Sequence, residues 1–499
     1  MLRHLPLILL GLATASLTAT PESDRALFQR VTAELDLEGQ ALQFQNIEGF
    51  VLTGADVANE LWQSVAMQQN IPVPLDFRFI ATTFGADRMD AYGTSVVKIE
   101  DGLYRHRSFL HWQGENVPQF LQILGAENRA FDSLEWLPAG TDIVFEGQLD
   151  YEPLLQGVYA IANQIMGENG PVLLDLQLDR ELNEQGLTAR DVLKVLQYPV
   201  IYALDYDLEA EPWQLAPDAP AIPRAYLVLR LKGGAAAMVN LLPTLANQAS
   251  QVEEADGWEI YHFAPQEGGA PINPAVLVSQ QPGGDVLFSS EGLDGLKHWA
   301  QGPRLKDDPQ FRAMFEGEVP AGVLLRYMSP VHADIAQNLA DQIFTQLAAM
   351  NPSTAAGANV AKMLYAPLMQ SSAHVAWLTE DGLLGRGVNE SAISPQLGTS
   401  TPIVAGMFAA MAIPAFQSVR VSSQQGAIEN NLKQIAQTGQ RYIIENDVES
   451  VDYPTLLRET YLREIAPVAG EDYSGLIIYA EGGVLDVVGP GGESVIWEY

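Results

Sequence analysis

The spacing of apolar and polar positions changes several times along this chain, and each change marks a part of it. An apolar run from Leu5 to Leu12 follows Arg3 and His4 and gives way to Ala13-Thr14-Ala15 and a polar stretch. Ala26, Leu27, Val31, Leu35 and Leu37 then fall loosely on one side of a helical entry between Glu22 and Leu42. From Gly49 to Leu124 the runs are short and alternating, as in Thr94–Ile99 and Ser108–Trp112, with Gly85, Gly93 and Gly102 between them. That pattern predicts a strand-rich unit.

A weak internal repeat follows. Leu137-Pro138-Ala139-Gly140 and Val319-Pro320-Ala321-Gly322 each open a strand-like run, Thr141–Leu149 and Val323–Met328. Each run leads into a helical pattern, Glu152–Met166 and Ala333–Met350. Between the copies, Ala225–Leu231 reads as a strand entering a helical run through Lys232-Gly233-Gly234, and Pro212–Pro223 as an exposed loop. Ala275–Ser279 and Val286–Ser289 form a hairpin around Gly283-Gly284, with a helix beginning near Ser290. Strands that alternate with helices and also pair through short turns predict an α+β fold of repeated strand–helix, ferredoxin-like units in the body. The expected organisation is a leader at 1–19, a strand-rich unit at 20–136, α+β units at 137–318 and 319–400, and a last module at 401–499.

Length fits this division, since 499 residues make about three units at roughly 150 residues each. Charge narrows the partners: 27 basic against 62 acidic side chains leave a formal net charge of −35, which repels phosphate backbones and anionic headgroups. Nucleic acid is therefore not expected as a partner. The absence of cysteine excludes disulfides, thiolate metal sites, a cysteine nucleophile and lipidation of a lipobox cysteine. The N-terminal pattern is that of a secretory signal peptide with cleavage after Ala15 or Ala19, so the chain is expected in the periplasm or cell envelope.

Candidate chemistry is sparse. No cofactor, catalytic constellation or phosphate-cradling loop is expected. His332 and Asp334 lie two positions apart at a helix start and point in different directions, so they read as a polar turn. His262 reads as a surface or cross-strand residue. His106 and His111, with Arg105 and Arg107, make a small basic patch that could meet an anion, or simply the polar face of a strand pair. Ser95-Val96-Val97-Lys98 matches a Ser-x-x-Lys string, but its β-branched residues predict a strand, on which the two groups are too far apart to act together. Asp205, Asp207, Glu209 and Glu211 alternate along a predicted strand, where they could share a weakly held calcium ion or form a solvated edge.

The last module carries the strongest local signal after the leader. No charged residue occurs from Ser391 to Val419, and Ile403–Phe416 is almost wholly apolar. An apolar helix over 402–419 is expected, either crossing a membrane or buried against the body or a partner, with Ile403–Phe416 as the contact with membrane or envelope assembly proteins. Ile428, Leu432, Ile435 and Tyr442 continue at helical spacing, and three strand-like runs, Leu476–Ala480, Val484–Val488 and Ser494–Trp497, predict a small antiparallel sheet.

Gly406–Phe416, Asn430-Asn431-Leu432-Lys433-Gln434-Ile435 and Tyr453-Pro454-Thr455-Leu456-Leu457 resemble type IV pilins and type II secretion pseudopilins over roughly 402–499. That resemblance implies a long apolar helix packed on the small sheet, used for tethering or assembly. It also implies calcium ligands in the C-terminal loops, for which Asp447, Glu449, Asp452, Glu471 and Asp472 are available. The match departs at the processing site: Leu397 stands where the family's glutamate belongs, and Ala392-Ile393 where its peptidase cuts. The Leu-Pro-Ala-like openings, Phe288-Ser289-Ser290 and Asp307–Arg312 resemble the DUF3352-type exported bacterial proteins over roughly 137–350, a likeness that implies no activity. The expected function is a non-catalytic envelope protein. The alternatives are a soluble periplasmic module that binds a small ligand or cation and, more remotely, a hydrolase whose site is assembled from distant residues.

Overall fold

The computed structural model describes residues 21–499 except 70–74, 184, 214–220, 265–271, 316, 351–369, 392–424, 426–427, 464, 466, 469 and 490–493. It divides into two compact units, up to Pro395 and from Gln396.

The first unit is α+β, and its frame is one antiparallel sheet. Its strands in chain order are β1 (Ala41–Asn46), β2 (Met89–Glu100), β3 (Leu103–Trp112), β4 (Ile143–Gln148), β5 (Pro199–Asp207), β6 (Arg224–Leu231), β7 (Gln251–Ala255), β8 (Trp258–His262), β9 (Ala275–Ser279), β10 (Val286–Ser289), β11 (Leu324–Met328), β12 (Ser372–Leu378) and β13 (Gly382–Asn389). They lie in the order β1-β2-β3-β13-β12-β11-β4-β5-β6-β10-β9-β8-β7.

This order corrects the expectation of separate ferredoxin-like units. The strands that open the two repeat copies, β4 and β11, pair with each other, Phe145 opposite Arg326, and so join the copies at the middle of a shared sheet. The stretch from β4 to β10 supplies seven neighbouring strands, and β1–β3 meet β11–β13 on the other side through the β3–β13 pair. The hairpin of β9 and β10 turns at Gly283, whose φ of 68° belongs to the left-handed region that favours glycine. One stretch departs from its reading as short alternating runs: Phe50–Gln69 is a 20-residue helix.

One face of the sheet is sealed. Val144, Ile201, Ala203, Val228, Leu325 and Val375 form a continuous core with Trp299, Leu305, Phe311 and Met314 from helices over 292–314. On the opposite face, at the β6–β10–β9 end, a second core joins Leu231, Val276, Val278 and Val286 to Val195 and Met238. That end is covered by the helix Ala189–Leu196 and the helical turns that follow β6.

The second unit corrects the expectation for the C-terminus. Among the described residues no helix is long and apolar enough to cross a membrane, so the expected transmembrane helix is not retained. The segment 402–419 expected to form it, with its Ile403–Phe416 contact, lies outside the described residues, as does the leader at 1–19. The helix that is described, 428–446, is amphipathic: Ile428, Leu432, Ile435 and Ile443 are buried, while exposed Arg441 pairs with Glu445. The chain closes on strands in two separate ladders, β14 (Ser450–Asp452) with β15 (Ile477–Tyr479) and β16 (Val484–Val488) with β17 (Ser494–Glu498). A single small sheet beneath a long apolar helix is not what forms.

Candidate functional site

Because the side-chain period of a strand is two, residues paired across antiparallel strands share a face. The register therefore defines a transverse row with one residue from each strand: Ala41, Val96, His106, Gly387, His374, Arg326, Phe145, Tyr202, Leu229, Phe288, Val276, Tyr261 and Val252. In a covered sheet the middle of such a row is its most buried part. Here the reverse holds. Phe145, on a central strand, is 39% exposed while its neighbour Val144 on the sealed face is 0% exposed. Arg326, His374 and Tyr202 beside it are partly accessible, whereas His106 and Val276 farther out along the row are buried.

Two glycines shape this centre. A β-carbon on Gly147 would stand 3.4 Å from the ring of Phe145 and from Leu324, so the ring lies along its own strand over the glycine. One on Gly385 would come within 2.6 Å of Ser108 Oγ and 3.0 Å of His374 Nε2, so this strand passes close beneath the histidine. Bulky side chains at either position would displace these groups.

The electrostatics are those of partly desolvated groups. Burial lowers the affinity of Arg326 for its proton. Burial, together with the positive charge of Arg326 and the neighbouring His106, lowers His374 to about 4, so its imidazole is neutral at pH 7. Burial raises Tyr202 above the usual tyrosine range. These groups can be reached by solvent yet are poorly hydrated. The contact of the Arg326 guanidinium is Met328 Sδ at 2.9 Å, and among the described residues it has no carboxylate partner. Glu146, one position from Phe145, faces the other side and accepts the backbone N–H groups of Asp132 and Ser133 at 3.0 and 2.8 Å.

A second polar group sits at one end of the central strands. Asp142 is buried and accepts the Ser329 hydroxyl at 2.5 Å and the Tyr206 N–H at 2.9 Å. Burial, with the adjacent Asp205 carboxylate adding to it, holds its carboxyl above the usual range. Asp205 pairs with His298 at 2.7 Å, His298 stacks on Tyr226 at 4.0 Å, and Tyr206 Oη meets His332 Nδ1 at 3.0 Å. The Ser329 hydroxyl also accepts the His332 N–H at the start of the helix Pro330–Met350. Neither imidazole is bonded to the serine through its ring, and the Ser329 hydroxyl donates to Asp142 instead. This group latches β4, β5 and β11 to a helix start.

The residues singled out from sequence are placed as follows. The basic patch is divided by strand alternation: Arg105 and Arg107 meet Asp36 at 2.8 and 3.5 Å, and His111 meets Asp90 at 2.5 Å. His106 faces the other way and bonds Asn389 and the Ser391 carbonyl, both at 2.8 Å. The chain's own groups thus satisfy the patch. His262 makes a cross-strand contact with Glu253 at 3.1 Å. Ser95 and Lys98 lie on β2, where Ser95 accepts the Asp36 N–H and Lys98 pairs with Asp101. Asp205 and Asp207 are on β5, but Glu209 and Glu211 fall beyond its end. In the second unit, Asp452 and Asp472 cap the N–H groups of Thr455 and Ser474, and Glu471 accepts from Tyr473 and Val468. Among the described residues no group of three or more His, Asp or Glu converges as a metal site would require.

No family model, curated protein or solved structure matches this chain. Arg326, Phe145, Tyr202 and His374 escaped the sequence reading because only the register of β5, β4, β11 and β12 unites them. The one local signal was the arginine within the apolar run Val323–Met328.

Proposed function

We propose that this chain is an exported envelope protein that holds a small, largely apolar ligand on the open middle of its sheet and performs no chemistry on it. Export rests on the leader pattern at 1–19. The observation that carries the binding role is the exposure of Phe145 at the centre of a thirteen-stranded sheet, beside the partly accessible rings of Tyr202 and His374. An exposed phenyl ring flanked by partly accessible aromatic groups is what an apolar ligand needs, and it leaves a cost that binding removes.

Nile red, a neutral apolar fluorophore, tests this role. The purified chain is expected to bind it with one-to-one stoichiometry, and Phe145→Arg to weaken binding by about tenfold or more. Equal binding by both proteins, or none by either, contradicts the proposal.

A second reading concerns the last unit, whose sequence resembles an assembly module. What favours it is the outward side of its ladders, where Val484, Val488, Ile496, Ile477 and Tyr479 are all exposed. Self-association that disappears when Ile496 is replaced by Lys is the expected sign of such a role. A monomer at every concentration counts against it.

A further inference from the structure

We infer that the ligand of the central face is an amphiphile: an anionic headgroup paired with the guanidinium of Arg326, and an apolar chain running over Phe145 and Tyr202 toward Leu229 and Phe288. This inference rests on the apolar-ligand role above and adds the headgroup and the direction of the chain.

The row itself has two characters. From β3 to β11 it reads His106, Gly387, His374, Arg326, and from β4 to β10 it reads Phe145, Tyr202, Leu229, Phe288. The boundary falls between Arg326 and Phe145, which are directly opposed on neighbouring strands. A headgroup on the guanidinium therefore places the first carbons of its chain over the phenyl ring, about 5 Å away in strand spacing. A half-buried arginine whose contact is a thioether is a cost to the empty protein, because a poorly hydrated cation gains most from a paired anion.

Among the described residues no carboxylate meets that guanidinium. The flanking carboxylate Glu146 faces the sealed side of the sheet, and no Asp or Glu occurs between Asp341 and Glu380, the stretch joining the Pro330–Met350 helix to β12. The high net negative charge does not forbid an anion here, because charges more than about 8–10 Å away are screened at physiological salt while a direct contact is not. Planar guanidinium geometry accepts carboxylate and phosphate alike, so the shared chemistry is a singly or doubly charged oxyanion on an apolar chain.

Titration of the full chain with oleate, oleyl phosphate and neutral oleyl alcohol tests this. An anionic ligand is expected to bind about 10- to 100-fold more tightly than the alcohol. Comparing oleate with oleyl phosphate then tells a carboxylate head from a phosphate head. Arg326→Gln is expected to erase the preference by weakening oleate and oleyl phosphate about tenfold or more beyond any change in the alcohol, and Arg326→Lys to restore part of it. A thermal unfolding midpoint close to that of the native chain shows that the variant is folded. Equal binding of all three by the native chain overturns the headgroup while leaving the apolar-ligand role standing. Binding of Nile red with no binding of any oleyl compound overturns the amphiphile. Failure of every probe overturns both, and means that the chain's own residues close the face.

Discussion

Replacing Asp142 by Ala is expected to lower the unfolding free energy by about 2–4 kcal/mol, whereas Asp142→Asn stays within about 1 kcal/mol of the native chain. The difference follows from what the carboxyl does. It accepts from the Ser329 hydroxyl and the Tyr206 amide, both of which are left without an acceptor once the side chain is cut back. A buried donor without a partner costs about 1–3 kcal/mol. Asparagine keeps one oxygen for the Tyr206 N–H, places its NH2 against Ser329, whose hydroxyl oxygen can accept from it, and removes the repulsion with Asp205 that helps hold the acid above its usual range. Chemical denaturation of the three proteins checks this, and equal losses for Ala and Asn would show that the latch is not what holds these strands.

The second large effect is a pH dependence centred on His374. Its folded value is about 4 against an ordinary 6.5, so between these values the folded chain holds fewer protons than the unfolded one. Stability then rises with pH through that window, is fully present above about 6.5 and is lost as pH falls toward 4. At about 1.4 kcal/mol per unit the full contribution is about 3.5 kcal/mol, most of it lost by pH 4. His106 and His332, also lowered by burial, act in the same sense. Asp142 and Glu146 act in the opposite sense: their folded values are raised, so their contribution is present below the ordinary carboxylate range and is lost as pH rises through the folded value. The clean measurement is therefore a difference. His374→Gln should gain about 2–3 kcal/mol relative to the native chain between pH 7.5 and about pH 4.5. Parallel stability curves for the two proteins would mean that the imidazole is hydrated as in free solution.

How much of this was legible in the sequence depends on the range of the contacts. The β9–β10 hairpin is local: two apolar runs and a turn glycine specify it, and they read correctly. The helix Phe50–Gln69 was missed because Val51, Thr53 and Gly54 near its start weaken the helical signal. The single sheet could not be read because β3–β13 and β4–β11 join strands far apart in the chain, and apolar alternation carries no partner's name. The same limit hid the site. Phe145 reads as one more apolar residue of a core strand, and only pairing with Arg326, on a face that the sheet's own core leaves uncovered, gives it a different meaning. Asp142 was likewise invisible as a latch, since its partners Tyr206 and Ser329 come from two other strands' ends.

The central claim is that the middle of this face is a ligand site, and photolabelling tests it most directly. A diazirine analogue of oleate, bound to the full chain, irradiated and mapped by peptide mass spectrometry, should place its label on the strands that carry Phe145, Tyr202 and Arg326, with excess oleate suppressing it. Label confined to the exposed strands of the last unit, or scattered without competition, would contradict the account.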